Sequence, residues 1–253
     1  MSESEQDHKL DAPNQARRRF LTQIAAASGA ALAPGMVLIK VAQARAQDQA
    51  VSSAVRWGML IDTTKCARGC NVCVKACDVE NGLTGHGRPE TDSQWIRKVQ
   101  LRDTQTGYVQ SLPMLCQHCE YPPCEDVCPT GASFRRADGI VLVDKHICIG
   151  CRYCMMACPY KARSFVAEAL DDQKPWSPRG IGTVESCTFC VHRVDRGHQP
   201  ACVDACAQAD HGAMVFGNLN DPSSEIAKLI AEYDSSEVRP DLGLNTGVRY
   251  RGL

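Results

Sequence analysis

Sixteen cysteines, spaced in four groups of four, constrain this chain of 253 residues more than any other feature of its sequence. No cysteine falls outside the groups. In chain order, groups one to four are Cys66, Cys70, Cys73 and Cys77; Cys116, Cys119, Cys124 and Cys128; Cys148, Cys151, Cys154 and Cys158; and Cys187, Cys190, Cys202 and Cys206. Because only 6% of the residues are aromatic, the core is expected to be built partly around inorganic clusters.

The spacing of group three specifies iron-sulfur ligation. It reads CIGCRYCMMACPY, which is the C-x2-C-x2-C-x3-C-P run of bacterial ferredoxins. Group two, CQHCEYPPCEDVCPTGA, also ends in Cys-Pro. Four groups of four cysteines therefore predict four [4Fe-4S] clusters.

In two-cluster ferredoxins, the cysteine before the proline binds the neighbouring cluster. Extended to all four groups, this crossing rule predicts four ligand sets, which we call quartets A to D. Quartet A is Cys66, Cys70, Cys73 and Cys206; quartet B is Cys187, Cys190, Cys202 and Cys77; quartet C is Cys116, Cys119, Cys124 and Cys158; quartet D is Cys148, Cys151, Cys154 and Cys128.

Groups one and four are less regular than the central pair. Group one has an extra residue in its first gap, and group four has a long excursion before Cys202. Asp78 and Ala207, instead of proline, follow their last cysteines. A three-iron or otherwise altered cluster is therefore an open alternative at quartets A and B.

Two other chemistries also use many cysteines. An exported, cysteine-rich chain is ordinarily interpreted as a disulfide framework, and four-cysteine zinc sites also contain C-x2-C pairs. Disulfides tend to link distant segments, however, whereas C-x2-C-x2-C places three thiolates on one tight loop. Zinc sites usually need two pairs, while groups two and three add a third cysteine and a proline. The spacing therefore favours iron-sulfur clusters.

Residues 1–46 have the organisation of a signal peptide. A polar start leads to Arg17, Arg18 and Arg19, which are followed by Phe-Leu. An Ala-rich apolar run then covers residues 24–41, and the small residues after it allow cleavage after Ala44 or Ala46. The paired arginines followed by Phe-Leu resemble the twin-arginine (Tat) signal. An amphipathic helix and a single membrane anchor are the alternatives, although serine, glycine and proline interrupt the apolar run.

The rest of the chain predicts an α+β fold of two ferredoxin-like halves, with a β-hairpin insertion and an irregular C-terminal tail. Short apolar strands are expected at residues 56–62 and 139–144, each leading to a cysteine loop. The four-cluster region is expected to span residues 57–220. Within it, residues 112–186 carry the central pair, residues 57–93 and 187–220 the outer pair, and residues 94–112 the hairpin. Residues 221–253 are expected to form a helix, starting near Ser223, and the tail.

Several other residues lie close to the cysteines. The four histidines near the groups could donate hydrogen bonds to cluster sulfur, although a histidine without such a task is commoner; they are His118, His192, His198 and His211. Four cations in the same regions could offset anionic clusters or contact a partner, although such side chains are more often merely solvated; they are Lys161, Arg163, Arg193 and Arg196. Four side chains between ligands are expected to exclude water; they are Tyr153, Met155, Met156 and Phe189.

These features exclude several classes of function. A formal net charge of -1 gives no argument for nucleic-acid binding. The sequence has no nucleophile-base arrangement, no phosphate-binding glycine loop and no CxxCH haem motif. With four one-electron centres and no catalytic residues of its own, the chain is interpreted as an electron conductor and not an enzyme by itself.

Several segments of the chain resemble those of a known family. GIVLVDKHICIGCRYCMMACPYKAR, CTFCVHRVDRGHQPACVDAC and the later VFGNLN look like the four-cluster ferredoxin subunits of dimethyl sulfoxide, polysulfide and nitrite reductase systems, over residues 57–250. Within that family, the Tat-like signal, CARGCNVCVKAC and ACAQADHGAMVFGNLNDP look most like DsrO-type subunits. These are periplasmic iron-sulfur subunits of the membrane complex associated with dissimilatory sulfite reductase.

The resemblance implies a function and partners. The expected role is electron transfer in the periplasm, after Tat export, at the inner membrane. The implied partners are an integral, quinone-interacting membrane subunit of the NrfD or DsrP type and a c-type cytochrome, in a DsrMKJOP-like complex of sulfur metabolism. The alternative is the electron-transfer subunit of a molybdopterin-dependent reductase for sulfoxide, polysulfide or similar acceptors.

Overall fold

The computed structural model describes residues 50–253, so the predicted signal segment lies outside the described residues. The α+β class is confirmed: short helices alternate with small sheets. The elements are β1 (Trp57–Asp62), α1 (Val72–Asn81), β2 (Ile96–Arg102), β3 (Val109–Leu115), α2 (Pro123–Asp126), β4 (Ser133–Arg135), β5 (Val141–Val143), α3 (Tyr153–Ala157), β6 (Ser164–Phe165), β7 (Val184–Glu185), α4 (Val191–Val194), α5 (Ala201–Gln208), β8 (Met214–Asn218), α6 (Glu225–Glu232), a 3-10 turn (Pro240–Leu242) and β9 (Val248–Arg251).

A three-stranded sheet joins the beginning and the end of the four-cluster region. Its strand order is β8-β1-β9, with β1 antiparallel to β8 and parallel to β9. Met59, Leu60 and Ile61 of β1 are all buried, because both faces of this central strand are covered. The sheet therefore brings group one, which follows β1, close to group four, which precedes β8.

The cysteine-bearing helices pack in two pairs. Helix α1 packs against α5, and α2 packs against α3. Helix α1 ends at Gly82, which adopts a left-handed conformation (φ 63°). A Cβ there would lie 1.8 Å from the carbonyl oxygen of Asp172, so the turn requires glycine on both counts. The packing joins group one to group four and group two to group three.

Strands β2 and β3 form the hairpin expected between groups one and two, with Ile96 opposite Leu115 and Arg102 opposite Val109. Strand β3 extends to Leu115, three residues past the predicted end, and leads directly into Cys116. Two smaller antiparallel pairs, β4-β5 and β6-β7, flank group three. The hairpin therefore positions the start of group two.

The C-terminal region differs from the prediction. Helix α6 is capped by Ser224, whose side chain accepts a hydrogen bond from the Ala227 backbone N–H. The expected irregular tail is wrong for the last residues, because β9 is a strand of the central sheet. Val248 and Tyr250 are fully buried and alternate with two arginines, so the apolar side chains of β9 face the core.

Candidate iron-sulfur centres

Helices α1 and α5 each carry two cysteines one helical turn apart: Cys73 and Cys77 on α1, Cys202 and Cys206 on α5. Burial raises the pKa of the Cys73 thiol to about 11; the charge of Lys98 opposes this, and the charges of Cys66 and Cys206 add to it. Three of the four residues predicted as quartet A therefore interact with one another.

Quartet B lies deepest at this end of the molecule, and all four of its cysteines are buried. Burial raises the pKa of Cys77 well above its usual value, and the nearby charges of Cys187, Cys202 and Cys190 raise it further. Cys77 belongs to group one in sequence, yet these three neighbours belong to group four. Asn81, one turn further along α1, directs its amide towards the Cys77 sulfur at 3.6 Å.

Quartet C is also fully buried. Burial raises the pKa of Cys116 to about 12; Arg163 opposes the rise, while Cys124 and Cys158 add to it. The pKa of Cys119 is raised by burial and then by the charges of Cys116, Cys124 and Cys158. Cys158, from group three, thus interacts with three cysteines of group two.

Quartet D is more open. Its four cysteines line one cavity: Cys128, Cys148, Cys151 and Cys154. Cys154 is buried, and burial raises its pKa, with Arg163 opposing and Cys148 and Cys128 adding to the rise. Backbone N–H groups point at two of the sulfurs, from Ser133 to Cys128 at 3.4 Å and from Val184 to Cys148 at 3.5 Å.

The chemistry of these donors fits [4Fe-4S] clusters. All sixteen cysteines are free thiols. Cluster iron binds thiolates, and most of these thiols have pKa values raised by burial. Bound iron would supply the positive charge that such buried thiolates lack. Among residues 50–253, no three His, Cys, Asp or Glu side chains converge on the position of a single metal ion, whereas the four cysteines of a [4Fe-4S] cluster each bind a different iron atom.

The quartets adjoin one another in a definite order. Cys73 of quartet A raises the pKa of Cys202 in quartet B, after burial and Cys190. Cys116 of quartet C contributes to the raised pKa of Cys187 in quartet B. Cys154 of quartet D contributes to the raised pKa of Cys124 in quartet C. These interactions connect A with B, B with C and C with D, which supports the order A, B, C, D.

The cysteines are most exposed at the two ends of this order. Quartets B and C are wholly buried, whereas Cys66 and Cys70 of quartet A are half-buried and Cys151 of quartet D is exposed. Around quartet D, Tyr153 and Met156 are more than half exposed, so the expectation that they exclude water is wrong there. That expectation agrees with the structure at Phe189, which is 1% exposed.

Two cations contact ligand sulfur, and the sequence predicts neither contact. Lys98, on β2, donates to the Cys66 sulfur at 3.2 Å and to the Cys70 carbonyl oxygen at 2.5 Å. The expectation that Arg163 is solvated is wrong, because it is buried and donates to the Cys124 sulfur at 3.0 Å. Residues far apart in sequence form both contacts, so local spacing carries no signal for them.

The histidines near the groups differ in their surroundings. His118 is buried, its ring stacks on Phe189 at 3.6 Å between centroids, and its Nδ1 accepts the Val141 backbone N–H. Burial, with the charge of Arg163, lowers the pKa of His118 to about 3. His192 instead contacts the carboxylate of Glu80 at 2.8 Å. Among the four, His118 is buried at the junction of quartets B and C.

Comparison with known proteins decides the family. A 4Fe-4S dicluster domain matches residues 107–219. The Hdr-like menaquinol oxidoreductase iron-sulfur subunit 1 of Archaeoglobus fulgidus is 40% identical over 94% of this chain and 98% of its own length. The chain belongs to the family of [4Fe-4S] electron-transfer subunits of oxidoreductase complexes.

Other members of this electron-transfer family also match at least 90% of the chain. A tetrathionate reductase subunit of Salmonella typhimurium is 37% identical over 95% of this chain and 89% of its own length. Protein NrfC of Escherichia coli is 35% identical over 90% of this chain and 91% of its own. Membership establishes a chain that binds multiple [4Fe-4S] clusters and is not catalytic by itself. Within the described residues, no helix is long and apolar enough to span a membrane.

Proposed function

We propose that this chain is a periplasmic electron-transfer subunit in which quartets A to D each hold one [4Fe-4S] cluster. It connects a quinone-interacting membrane subunit with other redox subunits of a sulfur-metabolism complex of the DsrMKJOP type. The observation that carries the proposal is the order of the quartets, with two buried in the middle and one partly exposed at each end.

Each part of this arrangement suits a conductor. The clusters supply one-electron chemistry. The protein fixes their ligands on two packed helix pairs, because α1 and α5 each carry a ligand to quartet A and one to quartet B. Burial of quartets B and C excludes water from the middle of the path. Partner access is then confined to the two ends.

The surface at quartet D supports docking of the membrane subunit there. Ile149 and Met156 are each 67% exposed and Tyr153 is 54% exposed, and all three lie in or beside the ligand loop that carries the exposed Cys151. Large exposed apolar side chains that cluster at one place mark interaction sites. Quartet A lies beside charged residues instead, including Lys98, which suits a more polar redox partner such as a c-type cytochrome.

Two observations support the proposed location and the proposed membrane partner. The Tat-like features of residues 1–46 support a periplasmic location at the inner membrane. The likeness to a menaquinol oxidoreductase subunit supports a quinone-linked membrane partner. The likeness to a tetrathionate reductase subunit favours a second candidate, the electron-transfer subunit of a reductase for sulfoxide, polysulfide or similar acceptors.

Purification from native membranes under anaerobic conditions tests the proposal. We expect about sixteen irons per chain, four for each cluster, together with a co-purifying multispan membrane protein. A chain with far less iron would contradict the four-cluster assignment. A molybdopterin enzyme in place of a cytochrome among the co-purified subunits would select the second candidate.

A further inference from the structure

Arg163 is a buried cation at the junction of quartets C and D. Arg163 follows group three in the chain, precedes β6 and is only 6% exposed. Nη2 donates to the Cys124 sulfur at 3.0 Å and to the Ser133 hydroxyl at 2.8 Å. Cys116 and Cys154 are the next charged groups that interact with it. One guanidinium therefore faces sulfur ligands of two neighbouring quartets.

No carboxylate neutralises this charge within the part of the chain that the structure describes, since no ion pair of Arg163 occurs there. The buried Arg179 is paired with Glu185 at 2.8 Å, and the half-buried Arg136 is paired with Asp195 at 2.8 Å. The remaining Nη1 of Arg163 is buried without a partner.

An isolated buried charge is costly unless a counter-charge and hydrogen bonds compensate it. The anionic groups that face Arg163 are the thiolate ligands of quartets C and D. Its location is therefore explained if those ligands carry negative charge, as they do when they bind an iron-sulfur cluster. Hydrogen bonds and positive charge at cluster sulfur are known determinants of reduction potential.

We propose that Arg163 is a positioning residue shared by quartets C and D, which orients Cys124 and raises the reduction potentials of both clusters together. This rests on the proposed function. Reduction adds negative charge to a cluster, and a fixed cation stabilises the reduced form more than the oxidised form. Because one guanidinium faces both quartets, its removal lowers two of the four potentials and leaves those of quartets A and B in place.

The Arg163→Gln variant tests this, because glutamine removes the charge and keeps an N–H donor. Potentials are measured by redox titration monitored by electron paramagnetic resonance on the anaerobically purified protein. We expect two of the four reduction equilibria to change by at least about tenfold, which is ~59 mV for a one-electron couple. Arg163→Lys keeps the charge, so its potentials are expected to stay close to those of the wild-type protein.

Arg97→Gln is the matched control. Arg97 donates to the Tyr160 carbonyl oxygen at 2.9 Å and contacts no ligand sulfur, so its loss is expected to leave all four potentials unchanged. The proposal is overturned if no potential moves in Arg163→Gln, or if all four move alike. Iron content separates this from failure of the proposed function: four clusters with unmoved potentials contradict only the role of Arg163.

A second measurement applies even if the glutamine variant loses iron. In the wild-type protein labelled with [15N]arginine, pulsed electron paramagnetic resonance is expected to detect a nitrogen coupling to a reduced cluster, transmitted through the hydrogen bond to the Cys124 sulfur. The coupling should persist in the labelled Arg97→Gln variant. Its absence from the wild type would overturn the proposal.

Discussion

The crossing of ligands between groups one and four can be tested by counting iron in pairs of variants. Cys77 lies on the same helix as Cys73, yet its thiol interacts with Cys187, Cys190 and Cys202. Its replacement by alanine, the best helix former, should leave α1 intact while it removes one ligand of quartet B. We expect iron to fall from about sixteen to about twelve per chain.

Two double variants distinguish ligand sets that cross between groups one and four from ligand sets formed within each group. Cys77→Ala with Cys187→Ala removes two ligands of one quartet, so iron should stay at about twelve per chain. Cys77→Ala with Cys66→Ala removes one ligand from each of two quartets, so iron should fall to about eight. If each sequence group held its own cluster, the two counts would be exchanged. Iron and sulfide analysis of the anaerobically purified proteins measures them, and exchanged counts would refute the crossing.

Three further changes have distinct expected outcomes. Lys98→Gln removes a cation 3.2 Å from the Cys66 sulfur. At that distance the lost Coulomb energy in a water-like dielectric is about 1.3 kcal/mol, so the reduction potential of the quartet A cluster should fall by ~60 mV. A redox titration in which more than one cluster shifts would contradict this. Tyr250→Ala empties a fully buried site whose hydroxyl donates to the Pro113 carbonyl oxygen. It should cost about 3–5 kcal/mol, seen as a lower denaturant midpoint for loss of cluster absorbance, with Tyr250→Phe losing far less. On brief exposure to oxygen in the presence of iodoacetamide, the exposed Cys151 should be alkylated earliest among the sixteen cysteines, as peptide mass spectrometry can determine; earlier labelling of quartet B or C would contradict the order of exposure.

Much of the fold follows from local signals in the sequence. The strands before groups one and three, the hairpin and the helix after Ser224 each depend on alternation, turn residues or a cap within a few positions. The ligand assignment stays a prediction, made from a spacing rule carried over from two-cluster ferredoxins. The predicted strands, hairpin and helix depend on neighbours in the chain, so the sequence contains them.

The features that local signals do not predict depend on distant partners. Strand β9 is only four residues long, and it pairs with β1 at the other end of the described chain, so its alternation of Val248 and Tyr250 with arginines is too short to interpret alone. Arg163 is 39 positions from Cys124, and Lys98 is 32 from Cys66. Their roles require the tertiary fold, because isolated cations in a sequence are usually solvated.

The pairing of α1 with α5 also bears on how the protein is made. In the proposed quartet A, Cys66, Cys70 and Cys73 must wait for Cys206, which is synthesised 133 residues after Cys73. Quartets C and D, in contrast, have all their ligands once the chain has passed Cys158. The ligand sets of the central pair are thus complete before Cys187 is synthesised, whereas those of the outer pair are complete only once Cys206 has been synthesised. Any delivery machinery must therefore act on this protein twice, or late.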